Sequence, residues 1–248
     1  MFDAWLLFAS AVAAGGLSTI AGGGTFFTFP ALVYVGLPPV VANATSTLAV
    51  TPGYLGGVLG FRREIAALNQ RQLWALCFWA LLGGVGGACL LLISSDQAFA
   101  QLVPFLLLAA TLAFWFGDRV RAWLVTHVRL RPYSPFSLVA VSIYGGYFQG
   151  GLGIVLLALL SLWGLRDLTH MNALKNALSL VLGLVPAVVF ALGGLIDWQP
   201  ALIMMTGALI GGYAGAPLAK WLPKQIVHRF IVAVGLILSA IFFWQTFL

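Results

Sequence analysis

The chain has 248 residues, of which 62% are hydrophobic and only 7% are charged. Soluble globular domains carry about 25% charged residues, so this composition excludes an ordinary soluble protein. In a soluble protein, a formal net charge of +6 would suggest binding to nucleic acid. In a membrane protein it does not, so we predict no nucleic-acid partner. We expect an all-α polytopic membrane protein whose partner is the lipid bilayer, because apolar runs long enough to cross a layer about 30 Å thick recur along the chain.

Polar and charged residues divide the chain into about eight apolar segments. The most charged stretch lies between the fourth and the fifth. It predicts a first transmembrane repeat at 1–117, a basic cytoplasmic linker at 118–135 and a second transmembrane repeat at 136–248. The predicted segments are 4–35, 37–60, 73–93, 99–117, 136–164, 171–195, 200–219 and 228–247.

Each half begins with a segment, 4–35 or 136–164, that is longer than one crossing needs at a rise of about 1.5 Å per residue. A glycine cluster lies near the middle of each segment, "AGGGT" in the first and "QGGLGI" in the second. We expect both helices to break at these clusters. The broken segments either return to their starting side as re-entrant hairpins or cross once with a kink.

The basic residues favour the hairpins. Lys and Arg in short loops mark the cytoplasmic side of a membrane, and they gather around Arg62, in the linker and around Lys220. Single crossings would place three spans between the linker and the Lys220 loop, which would then lie outside. Two hairpins bring all three basic loops to the cytoplasmic side and leave each half with three full spans. Three is an odd number, so this topology predicts inverted repeats, whereas single crossings predict parallel ones.

The two halves share sequence blocks at a constant offset. "ALLGGVGGACL" at 80–90 corresponds to "ALIGGYAGAPL" at 208–218, and its glycines are typical of close helix packing. "VGLPPVVANATST" at 35–47 corresponds to "WGLRDLTHMNALKN" at 163–176, with one inserted residue. Secondary transporters are often built from inverted repeats whose broken helices meet at the substrate site.

The candidate site combines the breaks with the polar residues that follow them. A broken helix presents backbone N–H groups, and glycines let an anion approach those groups closely. Amide, hydroxyl and ammonium donors on one helical face suit an oxyanion, although such residues also join helices and a Lys can reach the interface. The candidate substrate-binding residues are Gly22, Gly23, Gly24, Asn43, Thr45, Ser46, Thr47, Tyr147, Gln149, Gly150, Gly151, Asn172, Lys175 and Asn176.

The acidic residues indicate the sign of the substrate. All six lie at predicted segment ends or loops, whereas cation carriers and many proton-coupled pumps place a carboxylate inside a span. An anionic substrate is therefore favoured. The sequence has no HExxH or GxSxG motif and no group of residues at metal-ligand spacing, so we predict no enzyme activity, no metal and no cofactor.

Several motifs resemble the sulfite exporter TauE/SafE family. They are "AGGGTFFTFPALVYVGLPPVVANATSTLAVTPG", "FRRE", "YGGYFQGGLGI", "NALKN", "DW" and "GGYAGAPLA", in this order over essentially the whole chain. The resemblance implies a multi-pass carrier of the bacterial inner membrane that moves small sulfur-containing anions such as sulfite or organosulfonates, often in export. The second half departs from the pattern, because it lacks the triple glycine and its matching proline.

The leading hypothesis is a transporter of small oxyanions that works by alternating access at a site between the two repeats. A passive anion channel with an amide-lined constriction is the alternative, and an intramembrane enzyme is a distant third. The sequence predicts neither the direction of transport nor the oligomeric state.

Overall fold

The structure is a computed structural model and describes residues 2–20, 23–116, 131–221 and 224–247. Every regular element in these ranges is an α-helix, which confirms the all-helical prediction. The helices in chain order are α1 (Phe2–Ile20), α2 (Thr25–Tyr34), α3 (Pro39–Gly60), α4 (Arg62–Ala67), α5 (Gln70–Ile93), α6 (Asp96–Trp115), α7 (Pro135–Tyr147), α8 (Leu152–Leu162), α9 (Leu168–Leu192), α10 (Trp198–Trp221) and α11 (Lys224–Phe247).

The starts of three long helices are set by capping side chains. Asn69, Ser95 and Asp167 precede α5, α6 and α9, and each accepts a hydrogen bond from a backbone N–H of the first turn. Such caps satisfy amides that have no partner within the helix. The helices agree with the predicted apolar segments to within a few residues. The exception is the short helix α4, whose exposed and charged sequence has no apolar pattern to reveal it.

The outer surface of the helices is strongly apolar. α5 and α9 are long and apolar enough to cross a membrane by length and composition. Large apolar side chains such as Trp74, Leu192 and Tyr213 are exposed on these helices and on α10. So many exposed large apolar side chains are unfavourable in water and suit contact with lipid.

Glycines bring helices of the two halves into backbone contact. Gly211 of α10 lies against the backbone of Val12 in α1, and Gly87 of α5 lies against the backbone of Tyr147 in α7. A Cβ added at either glycine would overlap the facing backbone. The prediction of close helix packing at these glycines is therefore confirmed. The same contacts make α1 parallel to α10 and α7 parallel to α5.

The centre of the bundle is formed by α3 and α9, which carry the sequence blocks aligned between the two predicted halves. Gly57 lies beside Asn176, and Gly183 lies beside Thr51. Positions late in α3 thus meet positions early in α9, so the two helices run antiparallel. This central pair carries most of the polar side chains that the sequence singles out.

Candidate functional site

The first break separates α1 from α2. An ideal Cβ at Gly24 would lie 2.8 Å from the carbonyl oxygen of Ala14 and against the side chain of Ser18, so α2 starts alongside the last turns of α1. Leu6 near the start of α1 and Tyr34 at the end of α2 line the same surface cavity of about 550 Å³. The two helices therefore run antiparallel. The predicted site residue Gly22 lies outside the described residues.

The second break separates α7 from α8, and its geometry is similar. Gly151 has a φ of +69°, a conformation that favours glycine and lets the chain reverse. Leu152 packs on Gly145 beside the break. At the other end the indole Nε1 of Trp163 donates to Ser137 Oγ at 3.1 Å. These contacts make α7 and α8 antiparallel as well.

One hydrogen bond closes the second break, and two more join it to neighbouring helices. The hydroxyl of Tyr144 donates to the carbonyl oxygen of Gly150 within the turn. The amide nitrogen of Gln149 donates to the carbonyl oxygen of Leu182 in α9 at 2.6 Å. The amide nitrogen of Asn43 in α3 donates to the carbonyl oxygen of Tyr147 at 2.8 Å. The break is thus joined to both central helices.

The predicted polar face of α3 is buried. Asn43, Ser46 and Thr47 are each at most 2% exposed. The Ser46 hydroxyl pairs with the Thr28 hydroxyl of α2 at 2.6 Å, and the Thr47 hydroxyl donates to its own helix at the Asn43 carbonyl oxygen. This face therefore connects α3 to the first broken element through Thr28 and to the second through Asn43.

Two predicted site residues make contacts elsewhere. Thr45, on another face of α3, accepts a hydrogen bond from the backbone N–H of Asp197 at 3.1 Å and so holds the loop between α9 and α10. The amide of Asn172 donates to the carbonyl oxygen of Leu168 in its own helix at 2.9 Å. Asn43 and Asn172 match in sequence, but their contacts in the structure differ.

Lys175 is the one buried charged residue in the described part of the chain, with 2% of its surface exposed. Its ammonium forms no ion pair or hydrogen bond with the described residues. At about 100° per residue, Lys175, Ser179 and Leu182 lie within about 60° of one another around α9. Because Gln149 is bound to Leu182, Lys175 lies on the side of α9 that faces the second break. Its burial argues against the alternative in which the side chain reaches the membrane interface.

Unpaired polar atoms are concentrated around the breaks and the central helices. Leaving a buried donor or acceptor unpaired costs about 1–3 kcal/mol, so such a concentration indicates a place shaped for a polar ligand. We call Lys175 and the following side chains the polar core. Buried atoms without a hydrogen-bond partner among the described residues are Ser18 Oγ, Thr25 Oγ1, Asn43 Oδ1, Tyr54 Oη, Ser142 Oγ, Gln149 Oε1, Asn176 Nδ2 and Ser179 Oγ.

Five members of the polar core are absent from the predicted site. They are Ser18, Thr25, Tyr54, Ser142 and Ser179. A single hydroxyl in an apolar helix is common and carries no local signal. Ser18 and Thr25 lie within about two turns of the first glycine cluster, and Ser142 lies within about two turns of the second. This proximity is the sequence feature that points to them.

The backbone amides beside the breaks have more partners than the sequence indicates. In the first turn of α2, the N–H of Phe27 donates to the carbonyl oxygen of Gly24. In the first turn of α8, the N–H of Ile154 donates to the carbonyl oxygen of Gly151. Gly23 is buried, and an ideal Cβ there would lie 3.2 Å from the ring of Phe26. The donors available to a ligand are therefore mainly side chains.

Comparison with known proteins gives consistent matches along the chain. The profile of the family described as "Sulfite exporter TauE/SafE" matches residues 7–243. A "Probable membrane transporter protein" of Haemophilus influenzae is 31% identical over 241 residues, which cover 95% of this chain and 92% of that protein. The "Probable membrane transporter protein YfcA" of Escherichia coli K12 is 31% identical over 248 residues, which cover 95% and 87% of the two chains.

A further relative is the "Probable membrane transporter protein ORF9" of a Sinorhizobium species, which is 29% identical over 242 residues. The aligned residues cover 94% of this chain and 89% of that protein. No solved structure matches the chain significantly. The family profile spans the helices, both breaks and the polar core, so the chain belongs to the sulfite exporter TauE/SafE family of membrane transporters.

Proposed function

We propose that the protein transports small oxyanions, either sulfite or organosulfonates, by alternating access at a site between its two halves. The polar core carries this proposal. It combines one buried ammonium that has no carboxylate partner among the described residues with hydroxyl and amide groups that are also unpaired there. Burying an unpaired charge is costly, and a bound anion would supply the missing opposite charge together with hydrogen-bond acceptors for the surrounding donors.

The packing supports two re-entrant hairpins. α2, α7 and α8 have 10, 13 and 11 residues, so at about 1.5 Å per residue none spans a hydrocarbon layer about 30 Å thick. Each pairs antiparallel with the other helix of its own broken segment. We therefore assign each broken segment an entry and an exit on the same side of the membrane.

The same packing supports inverted repeats. The matching helices α3 and α9 run antiparallel, as a two-fold axis in the membrane plane requires, whereas parallel repeats would place them parallel. The proposed topology is a multi-pass protein of the bacterial inner membrane. Its repeats are 1–117 and 136–248, and they are joined by the cytoplasmic linker 118–135, most of which lies outside the described residues.

Within this site we assign different roles to the predicted residues. Lys175, Asn176 and Ser179 would contact the anion, and Gln149 would do so from the second break. Ser46, Thr47 and Tyr147 would shape the site, and Thr45 and Asn172 would hold the adjoining backbone. Glycines would let the chain turn without filling the space around the ligand; these are Gly22, Gly23, Gly24, Gly150 and Gly151.

Transport in proteoliposomes tests the proposal. We expect uptake of sulfite or ethanesulfonate to saturate, and we expect unlabelled anion trapped inside to accelerate the entry of labelled anion, because a carrier site must reorient between the two sides. A passive channel, the alternative function, would give flux that rises linearly with concentration and shows no such exchange. Absence of flux for every sulfur-containing anion would contradict the proposal as a whole.

A substitution at Gly23 tests the role of the first break. We expect Gly23→Val to lower the rate of anion uptake by roughly 2- to 10-fold, because its side chain displaces the Phe26 ring and fills space at the break, at a cost similar to that of one hydrogen bond. The matched control is Gly56→Val, since Gly56 is exposed and an added Cβ there meets nothing within 4 Å. Equal uptake by both variants would remove the first break from the anion path.

A further inference from the structure

The two amides beside the second break present acceptors to the polar core. Asn43 and Gln149 are each 1% exposed. Their nitrogens already donate to the carbonyl oxygens of Tyr147 and Leu182. These bonds fix which end of each amide is the nitrogen, because a carbonyl oxygen cannot donate to another carbonyl oxygen. The atoms left unpaired are therefore Asn43 Oδ1 and Gln149 Oε1, and both can only accept hydrogen bonds.

The donors of the polar core lie one to two turns away on α9. The ammonium of Lys175 and the amide nitrogen of Asn176 can only donate, and the Ser179 hydroxyl can donate or accept. All three residues are at most 2% exposed. From Lys175 to Leu182, the residue that holds Gln149, α9 rises about 10 Å. The site thus has a donor end and an acceptor end.

A fully deprotonated oxyanion such as sulfate satisfies only the donor end. Its oxygens accept hydrogen bonds and offer none, so contact with the acceptor atom of Gln149 would be repulsive. A second negative charge would also lack a partner, because Lys175 is the one buried charge in the described part of the chain. Burying an unbalanced charge carries a large penalty.

From this arrangement, and resting on the proposed anion transport, we infer that the substrate is a monoanion that carries its own hydrogen-bond donor beside the oxyanion group. A hydroxyl-bearing sulfonate and a singly protonated oxyanion both have this chemistry. The oxyanion oxygens bind at Lys175, Asn176 and Ser179, and the ligand O–H donates to Gln149. An anion without a donor leaves this acceptor unpaired and binds more weakly.

The test compares two sulfonates that differ by one hydroxyl group. We expect 2-hydroxyethanesulfonate to bind the detergent-solubilised protein about tenfold more tightly than ethanesulfonate, and sulfate to bind more weakly than 2-hydroxyethanesulfonate. A site built to pair a ligand hydroxyl discriminates against the analogue that lacks it. The comparison uses the unmodified protein, so it does not depend on the folding of a variant.

A variant assigns the preference to a residue. Gln149→Met keeps the length of the side chain and removes the acceptor, so we expect the tenfold ratio between the two sulfonates to fall towards one. Gln199→Met, at an exposed position in the first turn of α10, is the matched control and should keep the ratio. A ratio that persists in Gln149→Met would overturn the assignment to Gln149.

The remaining outcomes separate this inference from the proposed function. Equal affinity for the two sulfonates in the unmodified protein would overturn the inference and leave the anion site in place, with its amide acceptors bonded to water. Tighter binding of sulfate than of either sulfonate would also overturn it. Failure to bind any of the three anions would contradict the proposed function and, with it, the inference.

Discussion

Replacing Lys175 with methionine is expected to weaken binding of sulfite and ethanesulfonate about 10- to 100-fold, since hydrogen bonds to a charged group contribute about 1.5–3 kcal/mol. The same change should leave the melting temperature of the detergent-solubilised protein unchanged or raise it. Lys175 is 2% exposed and has no partner among the described residues. An apolar side chain of similar length removes the cost of burying that charge. Affinity is measured by titration and stability by thermal unfolding of the same preparations.

The control for Lys175→Met removes another positive charge from the same half of the chain. Arg166 is exposed in the loop between α8 and α9, so Arg166→Gln changes the net charge equally without altering the polar core. We expect it to bind anions as the unmodified protein does. Unchanged anion affinity in Lys175→Met would show that the ammonium is not a ligand. A loss of affinity that comes with loss of the folded protein would assign a structural role to Lys175.

The Gly87→Val variant is expected to lose most of its folded protein. An ideal Cβ at Gly87 would lie 2.7 Å from the backbone nitrogen of Tyr147, so a larger side chain would push α5 away from α7. Overpacking of this kind typically costs about 1–3 kcal/mol. The cost should lie at the upper end here, because backbone cannot move aside as a flexible side chain can. The yield of monodisperse protein and the melting temperature in detergent measure the effect.

The neighbouring glycine provides the control. An ideal Cβ at Gly86 would meet the Ile143 side chain at 3.8 Å, an ordinary contact distance. Gly86→Val also replaces glycine by a residue with a somewhat higher helix propensity, so we expect yield and melting temperature equal to or slightly above those of the unmodified protein. If Gly87→Val and Gly86→Val behaved alike, α5 and α7 would not be in backbone contact.

The helices and their breaks are the part of the structure that local sequence determines. Runs of apolar residues end at capping or charged residues such as Asn69 and Asp167, and the clusters "AGGGT" and "QGGLGI" fall where α1 and α7 end. Glycine weakens a helix, and these two segments are also longer than one crossing needs, so the breaks are visible in the sequence. The glycines of α5 lie in a continuous helix instead. A charged surface segment such as α4 has no comparable pattern.

The partners of individual polar residues depend on packing between distant segments. Thr45 and Ser46 are adjacent in sequence, but one holds the backbone of Asp197 and the other pairs with Thr28. The helical period separates their faces, but it does not say which neighbour each face meets. Similarly, nothing local shows that the nitrogen of Gln149 is bound to α9 and that its oxygen is left unpaired. The candidate site was therefore predictable as a region and not as a set of contacts.

The central proposal is that the two broken segments enter the membrane from opposite sides and enclose the polar core between them. The loop after α2 and the loop after α8 must then lie on opposite sides. Pro38 and Arg166 are exposed in these loops and can each be replaced by cysteine in a protein in which Cys77 and Cys89 are changed to alanine.

Labelling with a membrane-impermeant maleimide in intact cells measures this arrangement directly. We expect the Pro38→Cys variant to react from outside and the Arg166→Cys variant to react only after the membrane is permeabilised. Reaction of both variants from the same side would mean that the second broken segment, α7–α8, crosses the membrane once, and it would contradict the inverted hairpins on which the proposed anion site depends.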